Sequence, residues 1–206
     1  MGGHLVLLGD SVFDNRAYVL PGERSVIDHL AAQLAPVQWT AELRAVDGST
    51  TADIPEQIEK APLSSKTVLV LSVGGNDAIL RADLLGDTSG KLSLPEALVV
   101  FREVRETFRA NYRGCLERVL ALRRPLIVCT IYNPRFEDPT YNELAETALS
   151  FFNDVITEEA LARDLPVLDL RRVCAEDAAF ANPIEPSDYG GQLIAEAIVA
   201  RITSRS

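Results

Sequence analysis

The stretch Leu5-Val6-Leu7-Leu8-Gly9-Asp10-Ser11 decides the fold of this chain. Its first four residues form a short, continuously apolar run that a glycine ends, which is typical of a strand buried on both faces of a parallel sheet. The residues from Ser11 to Asn15 are polar and turn-like. A serine therefore follows the carboxyl end of the first strand, where open α/β sheets bind their ligands. Taken alone, the triplet 9–11 is also what any strand-to-helix turn favours.

The rest of the chain alternates between strand and helix patterns. We predict strands over 5–9, 38–46, 67–73, 126–131 and 166–170, and helices over 23–34, 51–61, 93–123, from 140 past 156, and from 187 to about 202, with a loop over 83–91. This alternation predicts an α/β fold: a three-layer α/β/α sandwich around a parallel five-stranded sheet with a flavodoxin-like strand order. That order brings the loops after the first three strands to one edge of the sheet.

Local signals refine the helix boundaries. Ser93 with Glu96, and Thr140 with Glu143, have the spacing of a capping box, and each pair predicts a helix start. Ser187 is predicted to cap the last helix. The long fourth helix has a possible interruption at its glycine, residue 114.

Composition bounds the function classes. The 206 residues suit one domain, 1–206, with a sizeable core. The net charge of −10 and the lack of a basic run argue against nucleic acid and anionic membranes as partners. No apolar run approaches the ~20 residues that span a bilayer, and the early first strand leaves no room for a signal peptide. Cys115, Cys129 and Cys174 lack metal-ligand spacing, so we expect buried, reduced thiols in a cytoplasmic protein.

Two further loops carry residues that suit the same sheet edge as Ser11. Gly48 lies in the loop after the second strand, and Asn76 lies in Gly74-Gly75-Asn76-Asp77 after the third. Each loop on its own is ordinary turn chemistry. Together, the backbone N–H groups of Ser11 and Gly48 and the Asn76 amide are three donors of the kind that stabilise an oxyanion.

These segments together resemble the GDSL, or SGNH, hydrolase family of serine esterases, lipases and acylhydrolases. The matching segments are Gly9-Asp10-Ser11, Gly48, Gly74-Gly75-Asn76-Asp77, and Glu185-Pro186-Ser187 with the helix that follows. They occur in the family's order along the whole chain. The resemblance implies an SGNH hydrolase fold, Ser11 as nucleophile, and Ser11, Gly48 and Asn76 as the oxyanion hole. It implies no cofactor.

The last segment departs from the family pattern. The family carries Asp-x-x-His here, whereas this chain has Asn182 at the Asp position and Glu185 at the His position. Of the two histidines, His4 precedes the first strand and His29 is expected on the surface or flank of the first helix, so neither is expected to serve Ser11. We expect Glu185 to accept the serine proton, if burial raises its pKa, and the Asn182 amide to donate a hydrogen bond to it.

Other readings of the same residues stay open. A divalent cation held by Asp10, Asp14, Asp77 and Glu185 would make a metal-dependent phosphoester hydrolase, although their spacing matches no metal motif. A ligand-binding protein without catalysis would use the same scaffold. Our main expectation is a hydrolase with no metal that cleaves a small-molecule ester or thioester of a small or medium acyl group. Its substrate-binding residues are then Asp10, Asp77 and Tyr132.

Overall fold

The computed structural model describes residues 2–60, 63–86 and 92–203. The described strands form a five-stranded sheet in the order β2-β1-β3-β4-β5, and every neighbouring pair is parallel. The strands are β1 (His4–Gly9), β2 (Thr40–Leu43), β3 (Thr67–Ser72), β4 (Leu126–Cys129) and β5 (Val167–Leu168). The predicted flavodoxin-like order is therefore confirmed. Its switch point lies between β1 and β3, so the carboxyl end of β1 faces a crevice.

Helices cover both faces of the sheet. They are α1 (Val26–Leu34), α2 (Ile54–Glu59), α3 (Gly75–Ile79), α4 (Leu94–Ala121), α5 (Pro139–Leu161), α6 (Leu170–Val173) and α7 (Asp188–Thr203), with short 3₁₀ helices at Ala35–Val37, Ala82–Leu85 and Asp177–Ala179. Helices α1 and α7 pack together on one face, and α4 and α5 pack together on the other. The predicted three layers are confirmed.

The apolar run of β1 explains this layering. Leu5 and Leu7 belong to the core beneath α1 and α7, whereas Val6 and Leu8 belong to the core beneath α2, α4 and α5. All four side chains are almost fully buried because successive side chains of a strand point to opposite faces of the sheet. Burying both faces holds the end of β1, and with it Ser11, in a fixed place.

Several predicted helix boundaries are confirmed and others are wrong. The capping box of Ser93 with Glu96 is present at the start of α4, and Ser187 Oγ accepts the N–H of Gly190 at the start of α7. Helix α4 runs without a break through Gly114, because buried side chains on both sides of the glycine hold it against the sheet.

The predicted start of α5 at Thr140 is wrong. Asp138 is the N-cap: its side chain accepts the N–H of Tyr141 at 2.9 Å, and Pro139 follows in the first turn. The loop predicted over 83–91 instead begins within the 3₁₀ helix Ala82–Leu85, and residues 87–91 lie outside the described part of the chain. The polar stretch after β3, predicted as a turn, forms the short helix α3.

Two further predictions concern the cysteines and membrane-spanning segments. Cys115, Cys129 and Cys174 are buried free thiols, as expected. Within the described ranges, no helix is long and apolar enough to cross a membrane.

Candidate active site

Gly9 fixes the point at which the chain leaves β1. Its φ is +137°, and a Cβ built on it would lie 1.7 Å from the carbonyl oxygen of Ser72 on β3. Only glycine permits this approach. The Gln57 side chain holds both backbone groups of Gly9, accepting its N–H at 2.8 Å and donating to its carbonyl at 2.7 Å. The turn that carries Ser11 therefore starts from an anchored residue.

Asp10 shapes the turn itself. Its Oδ1 accepts the N–H of Val12 at 3.1 Å, and its carbonyl accepts the N–H groups of Phe13 and Asp14. The Asp10 side chain is only 3% exposed. Burial, together with the negative charge of Glu185, raises its pKa to about 7, against the lowering effect of the bond from Val12. This site therefore holds a buried acid beside the serine.

Ser11 pairs with a carboxyl group from the far end of the chain. Its Oγ donates a hydrogen bond to Glu185 Oε1 at 3.0 Å, and both side chains are buried. Burial raises the pKa of Glu185 to about 7, while the bond from Ser11 lowers it and the charge of Asp47 raises it further. The other carboxyl oxygen of Glu185, Oε2, has no hydrogen-bond partner among the described residues. A buried, uncompensated carboxylate of this kind binds a proton more readily than one in water.

Hydrogen bonds hold the residues next to Glu185. The Asn182 side-chain oxygen accepts the N–H groups of Ile184 and Glu185, both at 3.0 Å. The expected role of Asn182 as a donor to the Glu185 carboxyl is therefore corrected: Asn182 is exposed and fixes the backbone of Glu185 instead. On the other side, the Tyr132 hydroxyl donates to the carbonyl of Ile184 at 2.6 Å.

Asn15 links the serine turn to the segment that carries Glu185. It is fully buried, its Nδ2 donates to the carbonyl of Pro186 at 3.1 Å, and its Oδ1 accepts the N–H of Val26 at 2.9 Å. The residue after Glu185 and the start of α1 are therefore tied to the same side chain. This link fixes the spacing between Ser11 and Glu185, two residues that are far apart in the chain.

One cleft contains most of the predicted site residues. Asp10, Ser11, Asn76, Tyr132 and Glu185 all line it. The Asn76 Nδ2 donates to the carbonyl of Ser49 at 3.0 Å, and its second hydrogen remains for an oxygen in the cleft because a primary amide has two donors.

Two predicted residues lie elsewhere. Gly48, at φ +79°, is exposed and lines a separate shallow depression with its neighbours in the loop after β2. Asp77 does not line the cleft: its carboxylate accepts the N–H and hydroxyl of Thr51, at 3.0 and 2.6 Å, and joins the loop after β2 to α3. Burial raises the pKa of Asp77, and the bonds from Thr51 lower it.

The sequence of this chain matches the model of a known protein family. The model of the GDSL-like lipase/acylhydrolase family matches residues 7–193. The chain belongs to this family. A search of curated protein sequences gives no match.

Solved structures agree on the fold of this GDSL-family chain. An extracellular lipase from Streptomyces rimosus superposes with a TM-score of 0.67 at 17% identity, covering 96% of this chain and 99% of that one. A phospholipase A1 from Streptomyces albidoflavus gives 0.66 at 18%, covering 97% and 98%. A lipase/acylhydrolase from Enterococcus faecalis gives 0.66 at 19%, covering 98% and 96%. At these identities the likeness establishes the SGNH hydrolase fold of the chain.

Both histidines of this GDSL-family chain have other partners. His4, at the start of β1, contacts Thr40 and Glu42 on β2. His29, expected on the surface or flank of the first helix, lies on the flank of α1 that faces α7: it is 8% exposed, and its Nε2 lies 2.6 Å from the carboxylate of Asp188. The packing of α1 against α7 buries this face of α1. The carboxyl group of Glu185 thus takes the position beside Ser11.

The acidic residues weighed as a cation site do not assemble into one. Throughout the described ranges, no group of three or more His, Cys, Asp or Glu side chains is placed to hold a metal ion. Asp77 bonds to Thr51, and the Asp14 carboxylate accepts the N–H of Asp47 at 3.0 Å. The geometry therefore gives no support to the metal-dependent alternative.

Sequence reasoning missed two residues that build the site, Asn15 and Gln57. Asn15 lies in the polar stretch after Ser11, where an asparagine reads as an ordinary turn residue. Gln57 lies on α2 between Ile54 and Ile58, and its partner Gly9 is distant in sequence. Only a polar side chain on the buried face of α2 could have signalled this contact.

Proposed function

We propose that this protein is a serine hydrolase that cleaves an ester or thioester, with Ser11 as nucleophile and Glu185 as general base. The observation that carries the proposal is the bond of Ser11 Oγ to the buried Glu185 carboxyl group at 3.0 Å. A serine hydroxyl is a weak nucleophile until a neighbouring base takes its proton. Family membership supports the reaction class, because the chain belongs to a lipase/acylhydrolase family.

The reaction proceeds in two halves. Ser11 Oγ attacks the acyl carbonyl carbon while its proton passes to Glu185 Oε1, and the carbonyl oxygen becomes an oxyanion. The free hydrogen of the Asn76 amide and the backbone N–H of Ser11 donate to that oxyanion. The intermediate collapses, the bond to the alcohol or thiol breaks, and Glu185 returns the proton to the leaving group. Water then attacks the acyl-serine carbonyl while Glu185 accepts its proton. The bond between Ser11 Oγ and the acyl carbon breaks, Glu185 returns the proton to Ser11 Oγ, and the acid is released.

The pKa of Glu185 suits both halves. An ordinary glutamate, with a pKa of 4.5, is a poor base at neutral pH. At a pKa of about 7, the carboxylate is a stronger base and its acid form is still present to protonate a leaving group. Burial therefore recovers part of what the family's histidine would supply.

The alternative is a ligand-binding protein on the same scaffold, and the replacement of the family histidine by Glu185 is the observation that favours it. A fluorophosphonate probe separates the two, because it forms a covalent bond only with an activated serine. We expect mass mapping to find the adduct on Ser11, and we expect Ser11→Ala to lose both labelling and hydrolysis of p-nitrophenyl esters by several orders of magnitude while keeping its fold.

Ser150→Ala is the matched control, because Ser150 is an exposed serine on α5. It should label and turn over as the native protein does. If folded native protein takes up no probe and hydrolyses no ester, the binding-protein reading replaces the hydrolase. If Ser11→Ala keeps full activity after contaminating esterase has been removed, Ser11 is not the nucleophile.

A further inference from the structure

The cleft beside Ser11 extends away from the sheet edge between the first halves of α4 and α5. Beyond the strand ends, its walls are almost entirely apolar. They come from α3 and the 3₁₀ helix Ala82–Leu85 on one side, from Phe101 and Val104 of α4, and from α5. Phe101 stacks on Phe151 of α5 with ring centroids 5.6 Å apart. An apolar slot of this kind excludes water and favours hydrocarbon.

The face of α5 sets the length of this slot. Tyr141, Ala145, Ala148, Leu149 and Phe152 line the cleft, and their spacing places them along one side of the helix. From the first to the last of them the helix rises ~16 Å, at 1.5 Å per residue. Two of the five are alanines, which leave room where a larger side chain would fill the slot. The slot is thus much longer than an acetyl group.

Polar groups are concentrated at the Ser11 end of the cleft. Asp10, Asn76 and Glu185 belong to the loops around the sheet edge. Along the slot, Arg105 is held by the carboxylates of Asp154 and Glu158. Among the described lining residues of the slot, this leaves the Tyr141 hydroxyl on α5 and Arg81, an exposed cation at the rim. A sugar ring needs several converging donors and acceptors, and these walls do not supply them.

The apolar surface continues out of the cleft. Leu98 and Leu94 precede Phe101 by three and seven residues, so they share its face of α4, and they are 53% and 73% exposed. Leu144 of α5 is 47% exposed beside the other wall. Exposed leucines next to an apolar slot give a hydrocarbon chain a continuous surface from solvent to Ser11.

We propose that the slot between α4 and α5 binds the unbranched acyl chain of the substrate, so that the protein acts on medium- or long-chain acyl esters or thioesters rather than on acetyl esters of sugars. This proposal rests on the proposed function of Ser11, and it narrows the substrate to an amphiphile with its acyl carbonyl at the sheet edge. Ala148 is then a specificity-determining residue, because a larger side chain there shortens the slot.

The first experiment compares p-nitrophenyl acetate, butyrate, octanoate and dodecanoate. In the native protein we expect kcat/KM to rise by up to about fourfold for each added methylene until the slot is filled. Ala148→Phe should lower kcat/KM for octanoate and dodecanoate by at least about tenfold more than it lowers kcat/KM for acetate. Ala110→Phe, at an exposed alanine of α4, is the matched control and should leave the whole profile as it is.

Retained acetate hydrolysis shows that Ala148→Phe has folded, and Ala148→Leu is a milder variant if it has not. A native preference for acetate over octanoate would overturn the proposal. So would an Ala148→Phe variant that lowers all four esters by the same factor.

A binding measurement separates this proposal from the proposed function. Ser11→Ala should bind a dansyl-labelled undecanoic acid, seen as a rise in dansyl fluorescence, and Ser11→Ala with Ala148→Phe should bind it at least about tenfold more weakly. If the native protein hydrolyses no ester but this difference is found, hydrolysis is wrong and the acyl slot holds. If acetate is hydrolysed but Ser11→Ala does not bind the probe, hydrolysis holds and the slot is wrong.

Discussion

Replacing Glu185 by Gln should lower the catalytic rate. As the pH rises, it should also make the variant increasingly more stable than the native protein. The folded protein raises the pKa of this carboxyl from 4.5 to about 7. The folded state therefore binds the proton more tightly than the unfolded chain does. The contribution of Glu185 to stability is complete below about pH 4.5 and is lost as the pH rises through about 7, and this difference in pKa corresponds to about 3 kcal/mol.

Glu185→Gln removes this pH-dependent loss. Relative to the native protein, the variant should gain about 3 kcal/mol of unfolding free energy between about pH 4 and about pH 8. Its buried amide hydrogens, placed where Oε2 has no partner, add a cost that is the same at every pH. Loss of the charge of Glu185 also removes its repulsion of Asp10, which further raises the unfolding free energy of the variant.

Catalysis should change in the opposite direction to stability, both with rising pH and in the Glu185→Gln variant. Native kcat/KM should rise about tenfold per pH unit up to about pH 7 and then level off, because the base must be ionised. Glu185→Gln keeps an oxygen for the bond from Ser11 but cannot take its proton, so we expect turnover to fall by ~10²–10⁴. If Glu185 had only a structural role, the pH profile of kcat/KM would not follow the same pKa as the pH profile of stability.

The assay is urea unfolding at a series of pH values, followed by the fluorescence of the single tryptophan, Trp39, alongside p-nitrophenyl ester hydrolysis. Glu143→Gln, at an exposed glutamate of α5, is the control and should change neither profile. The reasoning is refuted if the stability difference between native protein and Glu185→Gln is constant with pH, or if the variant turns over as fast as the native protein.

Three other variants test the surroundings of the site. Asn182→Asp combined with Glu185→His should raise kcat/KM by more than the sum of the two single changes, because an aspartate stabilises an imidazolium. Additive effects in a double-mutant cycle of kcat/KM would show that the two positions do not share one site. Asn15→Asp removes the donor to the carbonyl after Glu185 and should lower kcat about tenfold with little change in KM; steady-state kinetics with unchanged kcat would contradict this. Gly190→Ala should cost about 1–3 kcal/mol in urea unfolding, because its Cβ would lie 2.0 Å from the carbonyl oxygen of Ala179, and equal stability would show that the backbone shifts freely there.

The elements that sequence reasoning placed well are those with a strong local pattern. Apolar runs identified β1, β3 and β4, and the capping box at Ser93 marked the start of α4. The errors fall where two local signals compete. Asp138 outcompetes Thr140 as N-cap because Pro139 suits the first turn. Gly114 does not interrupt α4, because packing against the sheet outweighs the poor helix propensity of glycine.

The sequence predicted which residues form the site better than it predicted the hydrogen bonds between them. Ser11, Asn76, Tyr132 and Glu185 do meet in one cleft. The Asn182 side-chain oxygen accepts two backbone N–H groups, and its amide does not donate to the Glu185 carboxylate as expected, because a side chain reaches its own turn before a more distant group. Gly48 was expected beside Ser11 from the position of its loop and from the resemblance, but the loop after β2 carries it into a different depression.

The sequence by itself determined the sheet, its switch point and the place of Ser11, because strand periodicity and chain order are properties of neighbouring residues. It also determined that Glu185 stands at the position of the family's histidine. Only the tertiary structure decided that Ser11 reaches Glu185 across 174 positions, that Asn15 ties their segments together, and that an apolar slot opens between α4 and α5. The pKa of Glu185 belongs to this second group, since burial by distant parts of the chain removes the water that would keep the carboxylate ionised.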